Sequence, residues 1–499
     1  MNVTAVTPPH DILATVDLGS NSFRLQVSRV VDDQLYPLDM LKETVRLGAG
    51  LSADKWLDDD TQERALACLA RFGERLRGFV PAQVRVVGTN TLRIARNAAQ
   101  FIARAEALLG FPIEIIAGRE EARLIYIGAS HSLPATREKR LVVDIGGGST
   151  EFIIGCQYKS LLTESLPLGC VSYSLRYFGD GRLTKSQFRD ATLAARSEVQ
   201  RIRHEYISSE WQLAVGTSGT ARSLRDILEI NDYSAADITL AGMERLRAEL
   251  IKRGAMKNVS LNGLKSDRAP VLPGGLAIMI GIFEELEIDK MTVAEGALRD
   301  GVLYDLLGRQ RERDMRETTV TQFKRRYHVE EAQAGRVMIL AERFLTMLSE
   351  GGLDPDLHKR LLWSAKLHEI GLSISHTAYH KHSAYILQNA DMPGFSRREQ
   401  NVLATLVLGH RGDMGKMLQS VDDPALWPAI LSLRLAALFY RSRNAVELPT
   451  SLDLKCHSRG FALYVDKSWM DANPLTANTF HQEVAQWKNA GFLFEVLAV

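Results

Sequence analysis

Two short stretches place an acid two residues ahead of a glycine- and serine-rich turn: Asp17-Leu18-Gly19-Ser20-Asn21-Ser22 and Asp144-Ile145-Gly146-Gly147-Gly148-Ser149-Thr150-Glu151. A turn of this kind points several backbone N–H groups in one direction with little side-chain bulk, and so can wrap a phosphate closely. Asp17 and Asp144 end apolar, strand-like runs, where an unpaired carboxylate is costly, so a cation or a set of donors should accompany them. Mg²⁺ suits such a place, because it takes oxygen ligands and commonly uses one or two carboxylates beside waters and substrate phosphate. Asp144 and Glu151 supply that pair, and Mn²⁺ accepts the same hard oxygen donors.

Either loop alone could be an ordinary hairpin connection. Repetition separates them from that reading: Asp144 follows Asp17 by 127 residues, and at the same offset Gly146 answers Gly19 and Ser149 answers Ser22. A second pair, Val86-Val87-Gly88-Thr89-Asn90-Thr91 and Ala214-Val215-Gly216-Thr217-Ser218-Gly219-Thr220, recurs at 128. Two motifs at one spacing predict a duplicated domain, with Gly216, Thr217, Ser218 and Gly219 joining the phosphate loops. Two further groups are ambiguous by residue type. Acids in a first helical turn, such as Glu120 and Glu121, ordinarily complement the helix dipole. Arg93 could fork onto a phosphate or lie solvated on its helix.

The elements that must hold these groups are legible in outline. Residues 12–31 read as strand, turn and returning strand, 61–77 as a helix, and 113–116 as a strand feeding a helix at Gly118. Each half is therefore α/β. After Gly308 the alternation gives way to helical periodicity at 329–350, 361–370 and 401–408, and 452–456 with 460–465 alternate like strands again. We expect domains at 11–134, 135–308, 309–443 and 444–499, the last a small α+β unit. Lysine and arginine outnumber the acids 20 to 15 in the third, whereas the fourth holds 4 against 6.

Composition narrows the function classes. The 499 residues are 45% hydrophobic and 24% charged, as in ordinary globular protein. A net charge of +1 gives no global field to recruit nucleic acid or a membrane, so anion sites must be local. Cys68, Cys156, Cys170 and Cys456 form no CxxC pair, which speaks against zinc and against a disulfide framework. No signal peptide or transmembrane span is read, and the expected location is the cytoplasm, at most peripheral to the inner membrane.

Together with Gly88-Thr89-Asn90-Thr91-Leu92-Arg93 and Glu120-Glu121-Ala122-Arg123-Leu124-Ile125, the two acid–glycine loops resemble the exopolyphosphatase and guanosine pentaphosphate phosphohydrolase family. Leu272-Pro273-Gly274-Gly275-Leu276-Ala277, the run 296–304 and His382-Ser383-Ala384-Tyr385-Ile386-Leu387-Gln388-Asn389 are similar to its long form, so the likeness covers nearly the whole chain. The resemblance implies paired ribonuclease-H-like (actin-like) domains, a helical HD-like domain, and a homodimer. It implies that Glu121 is the general base, that Arg93 clamps phosphate, and that Asp144 and Glu151 hold Mg²⁺. Asp17, Gly19, Ser20, Asn21, Ser22, Gly146, Gly147, Gly148, Ser149 and Thr150 then bind phosphate oxygens. The substrate implied first is inorganic polyphosphate, cleaved processively from its end. Guanosine pentaphosphate is the alternative, and a non-catalytic polyphosphate or nucleotide sensor a second one. The third glycine, Gly148, and the 382–389 run favour the exopolyphosphatase branch.

Six of the twelve histidines, His358, His368, His376, His380, His382 and His410, fall in one helical segment. That segment resembles an HD domain, but its pivotal pair is His368-Glu369, and Ala437 stands where a last aspartate would be. We therefore expect metal-free packing there. Its basic residues, among them Arg325, Arg326, Arg397, Arg398 and Arg411, could instead form a track for a polyanion, held mainly through counterion release.

Overall fold

The computed structural model describes residues 11–31, 34–134, 136–207, 211–310, 314–349, 352–457 and 460–499. The chain divides into two compact units, Met1–Asp314 and Met315–Val499.

In the first unit, β1 (Ile12–Leu18), β2 (Phe23–Val31) and β3 (Gln34–Glu43) form an antiparallel meander. There follow α1 (Asp59–Arg75), β4 (Val84–Gly88), α2 (Asn90–Ile94), α3 (Ala98–Leu109), β5 (Ile113–Ile115) and α4 (Gly118–His131). The sheet order is β3-β2-β1-β4-β5, with β4 parallel to β1 and β5 parallel to β4. Pro37 sits on β3, an edge strand, where its missing N–H interrupts no inner ladder. Asp58 caps α1 by accepting from the Thr61 N–H at 2.7 Å, and Ala65, Leu66, Leu69 and Phe72 carry its apolar stripe into the core.

The second pass repeats the pattern. It runs through β6 (Lys139–Ile145), β7 (Thr150–Cys156), β8 (Lys159–Leu166), α5 (Cys170–Phe178), α6 (Lys185–Val199), α7 (Arg203–Tyr206), β9 (Leu213–Thr217) and α8 (Ser218–Ile230). β10 (Ile238–Thr239), α9 (Leu240–Arg253), α10 (Leu272–Leu286), β11 (Lys290–Val293) and α11 (Leu298–Gln310) complete it. The order β10-β11-β9-β6-β7-β8 contains the first sheet's arrangement with one added strand. This is the duplicated ribonuclease-H-like fold. Residues 269–286 are long and apolar enough to cross a membrane, but 83% of the stretch is buried, and α10 within it packs in the core of the second sheet.

Helix α4 joins the two passes. Leu124, Ile125 and Tyr126 share a core with Val87 of the first sheet, Val142, Ile153 and Val215 of the second, and Val302 of α11. Gly128 and Gly301 let α4 and α11 touch through their backbones: a Cβ at Gly301 would collide with the Leu124 carbonyl, and one at Gly128 with that of Ala297.

In the second unit, α12 (Met315–Arg326), α13 (Glu331–Leu348), α14 (Pro355–Leu367), α15 (Tyr379–Asn389), α16 (Arg397–Gly409) and α17 (Trp427–Phe439) precede a three-stranded sheet. That sheet is β12 (Leu452–His457), β13 (Gly460–Val465) and β14 (Leu493–Ala498), with α18 (Lys467–Ala472) and α19 (Pro474–Asn489) inserted before its last strand. Helix α14 begins six residues ahead of its apolar run because Asp354 caps it and Pro355 opens it. Helices and sheet share one core, in which Phe344, Leu433 and Phe439 meet Leu454, Phe461, Phe480 and Trp487. Arg434 on α17 also grips Glu483 on α19 with two hydrogen bonds, at 2.5 and 2.9 Å.

Candidate active site

The two acid–glycine turns are equivalent four-residue connections. Leu18 pairs with Phe23 across Gly19–Ser22, and Ile145 pairs with Thr150 across Gly146–Ser149. They meet: a Cβ on Gly147 would lie 2.9 Å from the Ser20 Cβ, and one on Gly148 would collide with the Asn90 amide. Close approach to Ser20 and to the Asn21 backbone thus favours glycine at 147, whereas at 148 only the tip of the Asn90 side chain stands in the way. Ser20 is fixed by a hydrogen bond from Thr91 Oγ1 at 2.7 Å and by its carbonyl accepting from the Gly48 N–H at 2.7 Å.

A pocket between the loops is lined by Asp17, Gly19, Ser20, Asn21, Ser22, Gly146, Gly147, Gly148, Ser149, Asp144, Glu151, Glu121, Ser218 and Gly219. The Asn21 amide oxygen is buried with no hydrogen-bond partner among the described residues, as suits a place meant for a ligand. Thr150, Gly216, Thr217 and Arg93 do not line the pocket. Thr150 Oγ1 donates to the Leu168 carbonyl at 2.5 Å and Thr217 Oγ1 to that of Gly296 at 2.7 Å, so both hold the scaffold beneath. Arg93 Nη1 donates to the Ile116 carbonyl at 2.7 Å and to Glu121 Oε2 at 3.3 Å.

Register explains the acids. Asp144 and Glu151 stand opposite one another across β6 and β7, on the last residue pair but one before the turn. Ser218 Oγ donates to Asp144 Oδ2 at 2.5 Å from a left-handed backbone at φ 65°, a costly conformation for a residue other than glycine. Ser165 Oγ donates to Glu151 Oε1 at 2.8 Å. Glu121 enters from the first turn of α4.

All four carboxyls titrate above their ordinary range. Burial is the main cause in each, and repulsion among them adds to it except at Asp144, where Ser218 and nearby arginines counter the burial. Burial lifts Asp17 to about 6, against the pull of Arg24 and Arg299. It lifts Glu121 to about 7, Arg93 pulling down while Asp17 and Asp144 push up. Glu151 goes well up through burial and the charges of Glu121 and Asp144. Asp144 rises by burial, opposed first by its Ser218 hydrogen bond. Acids held this way gain from a shared cation, and their hard oxygen donors fit Mg²⁺. Among the described residues no three His, Cys, Asp or Glu side chains are gathered as a protein-only metal site.

Three pocket arginines escaped the sequence reading: Arg24, Arg268 and Arg299. Arg24 was recoverable, since hairpin register sets it directly opposite Asp17. Arg268 comes from a remote loop and Arg299 from the first turn of α11, and residue type alone marks neither. Arg24 is brought down to about 10 by burial and by Arg299, Arg222 and Arg268 around it.

In the second unit, His368, His380 and His410 cluster, the His410 ring lying 5.1 Å from that of His368 and 6.3 Å from that of His380. His368 and His410 donate Nδ1–H to the carbonyls of Ala365 and Val407, at 2.7 and 2.5 Å. Glu369 is taken by Arg443, at 2.8 and 2.9 Å. His358 lies apart, 2.8 Å from Glu342. Of the basic residues, Arg325 and Arg326 are exposed at the end of α12, Arg397 and Arg398 open α16, and Arg411 follows it, its guanidinium 5.2 Å from the centre of the Tyr379 ring.

Residues 26–310 match the model of the Ppx/GppA phosphatase family, and 315–484 that of Ppx/GppA phosphatase, domain III. Among solved structures, an exopolyphosphatase from Cytophaga hutchinsonii is similar at a TM-score of 0.53 and 23% identity, over 59% of this chain and 97% of that one. An exopolyphosphatase-like protein gives 0.54 and 23%, with the same coverage. The PPX-GPPA enzyme of Aquifex aeolicus gives 0.49 and 27%, over 59% and 98%. With both models matched, over most of its length, the chain belongs to the Ppx/GppA phosphatase family.

Proposed function

We propose that this phosphatase releases terminal phosphate from inorganic polyphosphate. The observation that carries the reading is Glu121, a buried carboxylate raised to about 7, facing a pocket of glycine turns, hydroxyls and arginines. A base near neutrality both holds its proton and gives it up at working pH. In the reaction, Glu121 takes a proton from water as its oxygen bonds to the terminal phosphorus. The bridging P–O bond breaks, its electrons stay on the shortened chain, and orthophosphate leaves. The N–H groups of the two turns, with Arg24, Arg268 and Arg299, would balance the phosphoryl charge, and such positioning supplies most of what this chemistry needs. Asp144 and Glu151 would hold Mg²⁺ or Mn²⁺, which when bound neutralises charge on the phosphoryl oxygens.

A charged, hydroxyl-rich lining suits a chain of phosphates, and the arginines of the second unit would give a long chain further contacts. The test is phosphate release from long-chain polyphosphate and from guanosine pentaphosphate, compared by kcat/KM. Polyphosphate should be preferred. A larger value for guanosine pentaphosphate would assign the sister activity, and no release from either would assign a sensor.

A further inference from the structure

Beside Glu121, but outside the pocket, lies a buried set of charges with no part in the chemistry so far described. Arg123 forks onto Glu120 at 2.7 and 2.8 Å and reaches Asp305 Oδ1 at 2.6 Å. Asp305 Oδ2 accepts from Arg85 at 2.7 Å and from Arg309 at 3.2 Å, and Arg85 also donates to Glu114 at 3.1 Å. Among the described residues, three arginines and three acids from α4, α11, β4 and β5 thus meet here, and Asp305 touches all three arginines.

We propose that Asp305 is a positioning residue for Glu121: through Arg123 it clamps the first turns of α4 against α11 and β4, and so fixes where the Glu121 carboxylate stands. The inference rests on the reading of Glu121 as the base. Its geometry is direct. Asp305 lies four residues after Gly301 on the face of α11 that meets α4, one turn beyond the backbone contact with Leu124. Arg123 and Glu121 lie on the same turns of α4, so any rotation of α4 that parts Arg123 from Asp305 carries Glu121 with it. Removing Asp305 leaves Arg85 and Arg123 buried with less counter-charge, which favours such a rotation.

The test is Asp305→Asn in the full chain, assayed on whichever of polyphosphate and guanosine pentaphosphate is turned over faster. A misplaced base should cost about 10²-fold in kcat. KM should stay within about threefold, because the phosphate turns are untouched. The acid limb of kcat should move to lower pH, since a carboxylate eased from its buried seat titrates nearer its ordinary value. The groups facing Glu121 are Arg93, Asp17, Asp144 and Glu151, all unchanged in the variant, so the shift reports the seat itself. Asp305→Asn/Arg309→Gln keeps the cluster electrically balanced and should regain thermal stability while kcat stays low and the limb stays shifted. Wild-type kcat and limb in either folded variant would overturn the inference, as would kcat recovering with Tm in the double variant, or loss of the fold in both. Glu121→Gln runs alongside. If it is active, the base reading fails and this inference with it. If it is inert while Asp305→Asn behaves as wild type, only the positioning role fails.

Discussion

Arg93 Nη1 stands 3.3 Å from Glu121 Oε2, holding a cation against a carboxyl that burial and two neighbouring aspartates drive towards its neutral form. With Glu121 as the proposed base, the pair should set the pH range of the site. Glu121 must be ionised to accept a proton, so kcat should rise with pH through about 7 and fall below it. Arg93→Met removes a lowering influence and should move the acid limb to higher pH. A limb that stays in place would detach Arg93 from Glu121.

Glu121→Gln should lower kcat by about 10²–10⁴-fold while substrate still binds, because an amide keeps the shape but takes no proton. The same variant should be more stable than the parent at alkaline pH. The folded carboxyl binds its proton more tightly than the unfolded one, so folding is penalised increasingly as pH rises from about 4.5 to about 7, and not below. Thermal unfolding of both proteins across that range checks the sign.

Asp144→Asn and Glu151→Gln should each raise the Mg²⁺ concentration needed for half-maximal activity, and excess chelator should silence the parent. Mn²⁺ binding followed by its paramagnetic signal gives a readout independent of turnover. Unchanged affinity in both variants would remove the pair as ligands.

Charge reversal at Arg325, Arg326, Arg397 and Arg398 should weaken binding of long polyphosphate and flatten its dependence on log salt, leaving short chains nearly unaffected. An unaltered salt slope would make these arginines plain solvated surface.

Burial holds His368, His380 and His410 below 6.5, His380 at about 4 with Arg411 and Lys381 adding repulsion. The unfolded chain therefore takes up protons that the folded chain refuses. Stability from these groups should be complete above 6.5 and decline as pH falls from there towards about 4. His380→Leu should flatten the fall of Tm in that window, as monitored by circular dichroism.

The sequence by itself determined what depends on local spacing. The repeat at 127 and 128 residues announced a duplicated α/β fold, and a glycine turn two residues after an acid announced a tight hairpin connection, because hairpin geometry follows from a few neighbouring residues. Even the Asp144–Glu151 pairing was implicit in a four-residue turn. What only tertiary structure decided is what comes from far along the chain: that Arg268 and Arg299 join the pocket, and that Thr217 lies beneath it. It also decided that the terminal sheet shares a core with the helices before it. Periodicity records which face of an element is apolar but not which other apolar face covers it, and a lone arginine or serine reads alike whether it ends in water or against a buried carboxylate. The elevated basicity of Glu121 belongs to the same class, since it arises from burial and from the charges of Asp17 and Asp144, which stand on strands that converge on the pocket, and no local pattern encodes either.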